Sequence, residues 1–253
     1  MFDINALNLS FFHKYRHGIY IKNDVPSNLK IYKYTSLPVL YTLLDVKNGI
    51  GRFQVSNRDQ FSDQREKGEF YDLRNCFRMD IANVQPTAKQ TEHWKTIDEQ
   101  IEEASHLYAS CWTCKKMEDF LMWKAYSGIM SGVRIGTSVE KLRDSLRLKG
   151  CKLVAAKMEY GKEKTCYEVE DSMFYKTTFY QGEDEFRFYV VNDEEKRSAR
   201  FYLNVDPRLM IEEIILSPFM DIAFAQFIRD MLYDKFEFLR EKVLLSEILE
   251  YRK

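Results

Sequence analysis

The part of the sequence that decides the fold is residues 29–56, LKIYKYTSLPVLYTLLDVKNGIGRFQVS. Residues 29–34 alternate apolar and polar side chains, which is typical of a strand. A helix from Ser36 to about Lys47 is predicted next, because serine is a favoured helix N-cap and the Asn-Gly that follows ends helices. Residues 51–56 predict a second strand, so this region is strand, helix, strand.

The rest of the chain adds mainly strands. We predict helices over residues 91–105, 122–126, 139–149 and 219–239 and strands over residues 107–113, 132–136, 151–160, 185–191, 200–205, 213–216 and 242–245. Few of these strands are joined by a helix, which favours an α+β fold over a doubly wound parallel sheet. We therefore expect a central mixed or antiparallel sheet with flanking helices.

The chain shows no low-complexity linker, and it contains only 10 Gly and 5 Pro in 253 residues. A chain of this length can form one sheet-centred domain. We expect an N-terminal arm over residues 1–28 and a single α+β domain over residues 29–253.

Charge and cysteine content narrow the possible partners and locations. The formal net charge is −1, with 38 basic and 39 acidic residues, which gives no global electrostatic case for nucleic acid or an anionic membrane. Five cysteines, an odd number, and an N-terminus without a signal-peptide pattern favour a reducing compartment. No run approaches the ~18 apolar residues of a membrane span. We expect a cytoplasmic protein without a membrane partner.

Well-known catalytic and binding motifs are absent from the sequence. It contains no Gly-x-Gly-x-x-Gly, no Walker-type Gly-Lys-Ser/Thr, no His-Glu-x-x-His and no Gly-x-Ser-x-Gly. Cys111 and Cys114 form the only close cysteine pair, without the second pair that a zinc site needs. The histidines are scattered, and only His13 and His17 could share a helix face. The sequence therefore predicts no resident metal.

Four local patterns, in this order, carry a family resemblance. They are residues 32–36 (YKYTS), 53–63 (FQVSNRDQFSD), 122–127 (MWKAYS) with 132–135 (GVRI), and 174–177 (FYKT) with 183–187 (EDEFR). Together they resemble a bacterial family known only as a domain of unknown function (2971-type), over roughly residues 30–252. The sequence departs from that family at Thr35, where a basic residue is common, and at residues 62–64, where Asn-Asp-Pro is common.

The order of these elements also resembles the wider superfamily of ADP-ribosyltransferases. These enzymes break the bond between nicotinamide and ribose in NAD through an oxocarbenium-like transition state, which a carboxylate stabilises. The resemblance implies a strand with a polar anchor, a helix, a strand ending in Ser or Thr, and a late strand that carries glutamate. It implies that Glu185 is catalytic, that Glu183 orients or activates the acceptor, and that NAD is the substrate.

The same resemblance implies a set of NAD-binding side chains, namely Tyr32, Lys33, Tyr34, Ser56, Trp123, Tyr126 and Arg187. Residues two apart on a strand point the same way, so Glu183, Glu185 and Arg187 are expected to enter one pocket. Arg187 would hold Glu185 ionised or grip a phosphate. The acceptor would be a macromolecule (protein, RNA or DNA), and a toxin or phage-defence role, with a protein partner or antitoxin, follows by analogy.

A structural explanation of the same residues stays open. Glu183, Glu185 and Arg187 could form the solvated face of a half-buried strand whose core face is Phe186, Phe188 and Val190. Tyr32, Tyr34, Trp123 and Tyr126 could be packing residues, and Ser56 a strand-end hydroxyl.

Two further functions also stay open. In a metal-dependent nuclease, Asp63, Glu183 and Glu185 would bind Mg²⁺ beside Lys176, although Arg187 stands where such sites place a lysine. In a non-enzymatic interaction module, the apolar stripe of residues 222–239 would dock a partner, and the structure would show a large exposed apolar patch.

Overall fold

The computed structural model describes residues 18–22, 25–57, 88, 91, 107–128, 130–161, 174–192 and 198–250. Almost all of the predicted helix 91–105 lies outside these residues, as do Asp63, His13 and His17. Within the described part of the chain, no helix is both long enough and apolar enough to cross a bilayer.

The described residues form twelve strands and six α-helices. The strands are β1 (Gly18–Ile21), β2 (Lys30–Ser36), β3 (Gly51–Asn57), β4 (Leu107–Thr113), β5 (Gly132–Ser138), β6 (Cys151–Lys157), β7 (Glu159–Gly161), β8 (Tyr175–Thr177), β9 (Glu185–Asn192), β10 (Arg200–Val205), β11 (Glu213–Leu216) and β12 (Val243–Leu245). The helices are α1 (Leu37–Leu44), α2 (Phe120–Tyr126), α3 (Val139–Ser145), α4 (Pro207–Met210), α5 (Ile222–Lys235) and α6 (Glu247–Glu250), with 3-10 helices at Thr178–Glu183 and Glu237–Leu239.

The predicted α+β class with a central mixed sheet is confirmed. Ten strands form one sheet in the order β1-β6-β9-β4-β2-β5-β11-β12, with β3 joining β4 and β10. The β1–β6 and β11–β12 pairs are parallel, and the other pairs of this sheet are antiparallel. Strand β1 lies within the predicted arm 1–28, so part of that segment belongs to the sheet.

Strand β4 pairs with one strand along one edge and with two strands along the other. On one edge β9 pairs with it from Leu107 to Thr113. On the other edge Tyr32 of β2 pairs with Thr113, whereas Ser56 of β3 pairs with Ala109. The sheet therefore divides beside β4, and we call the opening between β2 and β3 the fork.

Helix α1 connects the two branches of the fork and covers the core. Leu37, Leu40, Leu43 and Leu44 are its buried side chains, and they pack with buried residues of the sheet such as Phe53 and Phe188. The buried apolar side chains of this helix therefore face the sheet, as expected of an amphipathic helix.

Several predicted helix boundaries are wrong. Helix α1 ends at Leu44, before Lys47, and the side chain of Ser36 makes no capping hydrogen bond. Helix α3 ends at Ser145 because Leu146 forms a β-bridge with Val205. Helix α5 begins at Ile222, capped by Asp221, and ends at Lys235.

The start of β3 lies directly against the end of α1. A Cβ atom added to Gly51 would lie 1.9 Å from the carbonyl oxygen of Leu43. Because that oxygen is backbone, we expect Gly51→Ala to destabilise the fold by about 2–4 kcal/mol. Urea unfolding followed by circular dichroism measures this change.

The matched control is Gly182→Ala, since an added Cβ there meets no atom within 4 Å. We expect this variant to unfold within about 0.5 kcal/mol of wild type. Equal stability of the Gly51→Ala variant and wild type would contradict the packing of β3 against α1.

Candidate functional site

The fork opens into a cavity of about 410 Å³. Its walls come from strands β2, β3, β4, β8 and β9, from α1 and α2, and from the 3-10 helix Thr178–Glu183. Eight of the nine predicted site residues line it, namely Tyr32, Lys33, Tyr34, Ser56, Tyr126, Glu183, Glu185 and Arg187. Side chains that are far apart in the sequence thus share one concave surface.

Glu185 is a buried carboxylate that two cations hold. Its Oε1 accepts a hydrogen bond from Arg187 Nε at 2.6 Å, and its Oε2 accepts one from Arg187 Nη2 at 3.0 Å. Lys176 Nζ donates to the same Oε2 at 3.1 Å. Both Glu185 and Arg187 are 3% exposed, so the interpretation of these two residues as a solvated strand face is wrong. Phe186, Phe188 and Val190 do form the core face of β9, as that interpretation expected.

Glu183 lines the cavity from a different secondary-structure element than the one predicted. It belongs to the 3-10 helix and not to β9, and Asp184 between the two glutamates has a left-handed backbone with φ 43°. The carboxylates of Glu183 and Glu185 still lie close together, because Lys176 Nζ donates a hydrogen bond to each of them, at 2.7 Å to Glu183 Oε2 and at 3.1 Å to Glu185 Oε2. The Tyr126 hydroxyl donates to Glu183 Oε1 at 2.6 Å.

The charges in this cluster fix its protonation states. Burial alone would raise the pKa of Glu185, but the positive charges of Arg187 and Lys176 and the hydrogen bond from Arg187 lower it to about 2. Burial and the contact with Glu183 raise the pKa of Tyr126. The cluster therefore contains an ionised carboxylate and a protonated phenol at neutral pH.

Lys33 lies at the fork and makes no ion pair with Glu185, although the charge of Glu185 favours its protonated form. Its Nζ donates to the carbonyl oxygen of Cys111 at 3.3 Å and lies 5.9 Å from the centroid of the Trp112 ring. Burial lowers the pKa of Lys33. Burial also raises the pKa of the Cys111 thiol to about 12 and of the Cys114 thiol to about 11. Both cysteines are therefore protonated thiols at neutral pH.

Trp123 does not line the cavity. It is 0% exposed, and its ring meets the edge of Tyr34 at a centroid distance of 4.8 Å and an angle of 88°. It therefore packs α2 against β2 and does not present its ring to a ligand. The structural explanation, not the NAD-stacking prediction, matches this residue.

Hydrogen bonds to other parts of the chain fix the position of α2, which forms one wall of the cavity. The Tyr34 hydroxyl accepts a hydrogen bond from the Asp119 amide at 3.0 Å, and Asp119 in turn caps α2. Glu118 accepts from Trp123 Nε1 at 3.3 Å and from the Glu247 amide at 2.8 Å. Glu118 was not among the predicted site residues, because no local pattern indicates a contact between residues so far apart.

The sequence did not indicate the observed contacts of two other residues, Lys176 and Arg134. Lys176 was named only for the nuclease, although it lies within the pattern FYKT and bridges both carboxylates. Arg134, within the pattern GVRI, is fully buried, and its guanidinium lies 3.9 Å from the centroid of the Tyr32 ring. The patterns marked the right segments but not which side chains meet.

Among the described residues, no group of three or more His, Cys, Asp and Glu side chains is placed to hold a metal ion. No family model matches the chain, and no curated protein or solved structure is found to be similar to it. The resemblances to the bacterial family and to ADP-ribosyltransferases therefore stay predictions.

The pKa of Glu185 makes a prediction about acid stability. Because its folded-state pKa is lowered from 4.5 to about 2, its ionised form stabilises the fold above pH 4.5, and this stabilisation is lost as the pH falls toward 2. We expect Glu185→Gln to cost about 3–5 kcal/mol at neutral pH, since it leaves Arg187 buried without its counter-ion. The difference from wild type should shrink at acid pH.

Urea unfolding at a series of pH values measures this dependence. Glu140→Gln is the matched control, because Glu140 is an exposed residue in the first turn of α3. We expect it to follow the wild-type pH profile. A Glu185→Gln variant that keeps wild-type stability at neutral pH would contradict the ion pairs described above.

Proposed function

We propose that the cavity binds NAD and that the protein transfers ADP-ribose from it to a macromolecular acceptor. The observation that carries this proposal is the ionised carboxylate of Glu185 in the cavity wall, with a second carboxylate, Glu183, beside it. Cleavage of the nicotinamide–ribose bond leaves positive charge on the ribose. A fixed, ionised carboxylate in a largely water-excluded site stabilises such a charge.

The two carboxylates differ in accessibility, which supports different roles. The Glu185 side chain is 3% exposed, whereas that of Glu183 is 17% exposed. We assign to Glu185 the electrostatic stabilisation of the ribose cation. Glu183 would accept a hydrogen bond from a ribose or acceptor hydroxyl, in place of the one it now accepts from Tyr126.

The remaining walls suit the flat rings and the size of a dinucleotide. Tyr32, Tyr34 and Tyr126 line the cavity, and aromatic side chains offer surfaces on which nicotinamide or adenine can stack. The volume of about 410 Å³ lies within the range of cofactor sites. Arg187 donates two hydrogen bonds to Glu185. We therefore assign Arg187 to keeping that carboxylate ionised and not to binding phosphate.

The proposal includes the biological setting predicted from the sequence. The acceptor would be a protein, RNA or DNA in the cytoplasm, and the protein would act as a toxin or phage-defence effector. A protein partner or antitoxin would restrain such an activity.

Labelling with NAD tests the proposed reaction. Purified wild type is mixed with bacterial lysate and NAD that is radiolabelled in its adenylate phosphate. We expect label on a macromolecule with wild type, and at least about a hundred-fold less with either Glu183→Gln or Glu185→Gln. Glu185→Gln removes the charge that stabilises the ribose cation, and Glu183→Gln weakens the hydrogen bond to the ribose or acceptor hydroxyl. Treatment with protease, RNase or DNase then identifies the acceptor.

Glu140→Gln serves as the matched control, since it removes an exposed carboxylate outside the cavity lining. It should label as wild type does. Absence of label with folded wild type, or equal label with Glu183→Gln, would contradict the proposal.

A second candidate function is a metal-dependent nuclease. It is favoured by Lys176, whose Nζ lies within 3.1 Å of both Glu183 and Glu185, since carboxylates beside a lysine can bind Mg²⁺ and activate water. Both oxygens of Glu185 already accept hydrogen bonds from cations, which bears equally on its role in either candidate function. Mg²⁺-dependent cleavage of a single-stranded oligonucleotide, without transfer of label from NAD, would favour this candidate instead.

A further inference from the structure

The cations that line the cavity are not all neutralised. Lys176 and Arg187 each form an ion pair with Glu185, and Lys176 also pairs with Glu183. Lys33 also lines the cavity, but it forms no ion pair with a carboxylate of the described residues. Three cations thus face two carboxylates, and the excess positive charge lies at Lys33.

The fork explains why Lys33 has this position. Strand β2 leaves β4 after the Tyr32–Thr113 pair, and β3 joins β4 only at Ala109. Cys111 lies between these two pairs, and its carbonyl oxygen accepts the one hydrogen bond that Lys33 Nζ donates to the described residues. An ammonium group has three donors, so two remain available to a ligand.

Neutral hydrogen-bond donors line the same cavity. Thr35 and Gln54 line it together with Ser56, from the two branches of the fork. Within the described part of the chain, their two hydroxyls and one amide make no side-chain hydrogen bond. One unpaired cation with several unpaired neutral donors is the composition of an anion site.

We propose that Lys33, with Thr35, Gln54 and Ser56, forms a subsite at the fork that binds a phosphate or pyrophosphate group of the ligand. The inference deepens the proposed function and shares its cavity, because the pyrophosphate of NAD is such a group. It moves the phosphate-binding role from Arg187 to Lys33. The same cavity then contains an anion-binding subsite at Lys33 and the carboxylates of Glu183 and Glu185.

The lowered pKa of Lys33 adds a property that can be measured. A bound anion favours the protonated amine, whereas burial disfavours it. Affinity for the anion should therefore fall as the pH rises through the alkaline range, and the fall should begin below the pH at which an exposed lysine loses its proton. Pyrophosphate itself gains negative charge over this range, so an ordinary electrostatic contact would change in the opposite direction.

Calorimetric titration with inorganic pyrophosphate tests the subsite. We expect one site per chain in wild type and an affinity at least about ten-fold lower in Lys33→Gln, since a charge-assisted hydrogen bond is lost. Glutamine is chosen because its amide can still donate to the Cys111 carbonyl oxygen. Ser56→Ala should lower the affinity by a smaller factor.

Lys124→Gln is the matched control, because Lys124 is exposed on α2 and its ammonium lies over the Phe120 ring, outside the cavity lining. It should bind pyrophosphate as wild type does. ADP is titrated in parallel: tighter binding than pyrophosphate identifies a nucleotide as the source of the phosphate, and equal binding identifies the phosphate group alone.

Failure to bind pyrophosphate by folded wild type, or equal affinity in Lys33→Gln, overturns the inference. Should Lys33→Gln fail to fold, Ser56→Ala decides, and an affinity for pyrophosphate equal to that of wild type overturns the inference. Failure of the subsite can be distinguished from failure of the proposed ADP-ribose transfer. Lys33-dependent binding of pyrophosphate without labelling from NAD leaves the subsite in place and removes ADP-ribose transfer.

Discussion

The burial of the Glu185 carboxylate is the constraint on which the rest of the site depends. A buried charge without partners is strongly destabilising, so this carboxylate requires Arg187 from its own strand and Lys176 from β8. Lys176 also binds Glu183, which in turn accepts a hydrogen bond from Tyr126 of α2. One buried charge thus ties β8, β9, the 3-10 helix and α2 to fixed positions around the cavity.

The fork supplies the space that this network encloses. A strand in the middle of a sheet normally has its backbone groups paired on both edges, but β4 is shared between β2 and β3 on one edge. The opening brings side chains of β2 and β3 opposite those of β9. Lys33 lies at the fork and lines the same cavity as the carboxylates of Glu183 and Glu185.

The sequence predicts most strands well and the assembly of the site only in part. Strands β4, β10 and β11 have the predicted bounds, because alternation of side chains is a local signal. The left-handed Asp184, which takes Glu183 off β9, and the burial of Trp123 depend on tertiary packing, so periodicity could not reveal them. The fork and the contacts of Lys176 and Glu118 arise from strand register and long-range pairing, for which residue spacing carries no signal.

Binding of an NAD analogue whose ribose ring oxygen is replaced by carbon, so that the nicotinamide bond cannot be cleaved, tests the central claim most directly. Calorimetry would compare wild type with Ala125→Trp, since Ala125 is exposed and lines the cavity and a tryptophan there fills it without disturbing the core. The account predicts one site per chain in wild type and no binding in the variant. No binding to folded wild type, or unchanged binding in Ala125→Trp, would contradict it.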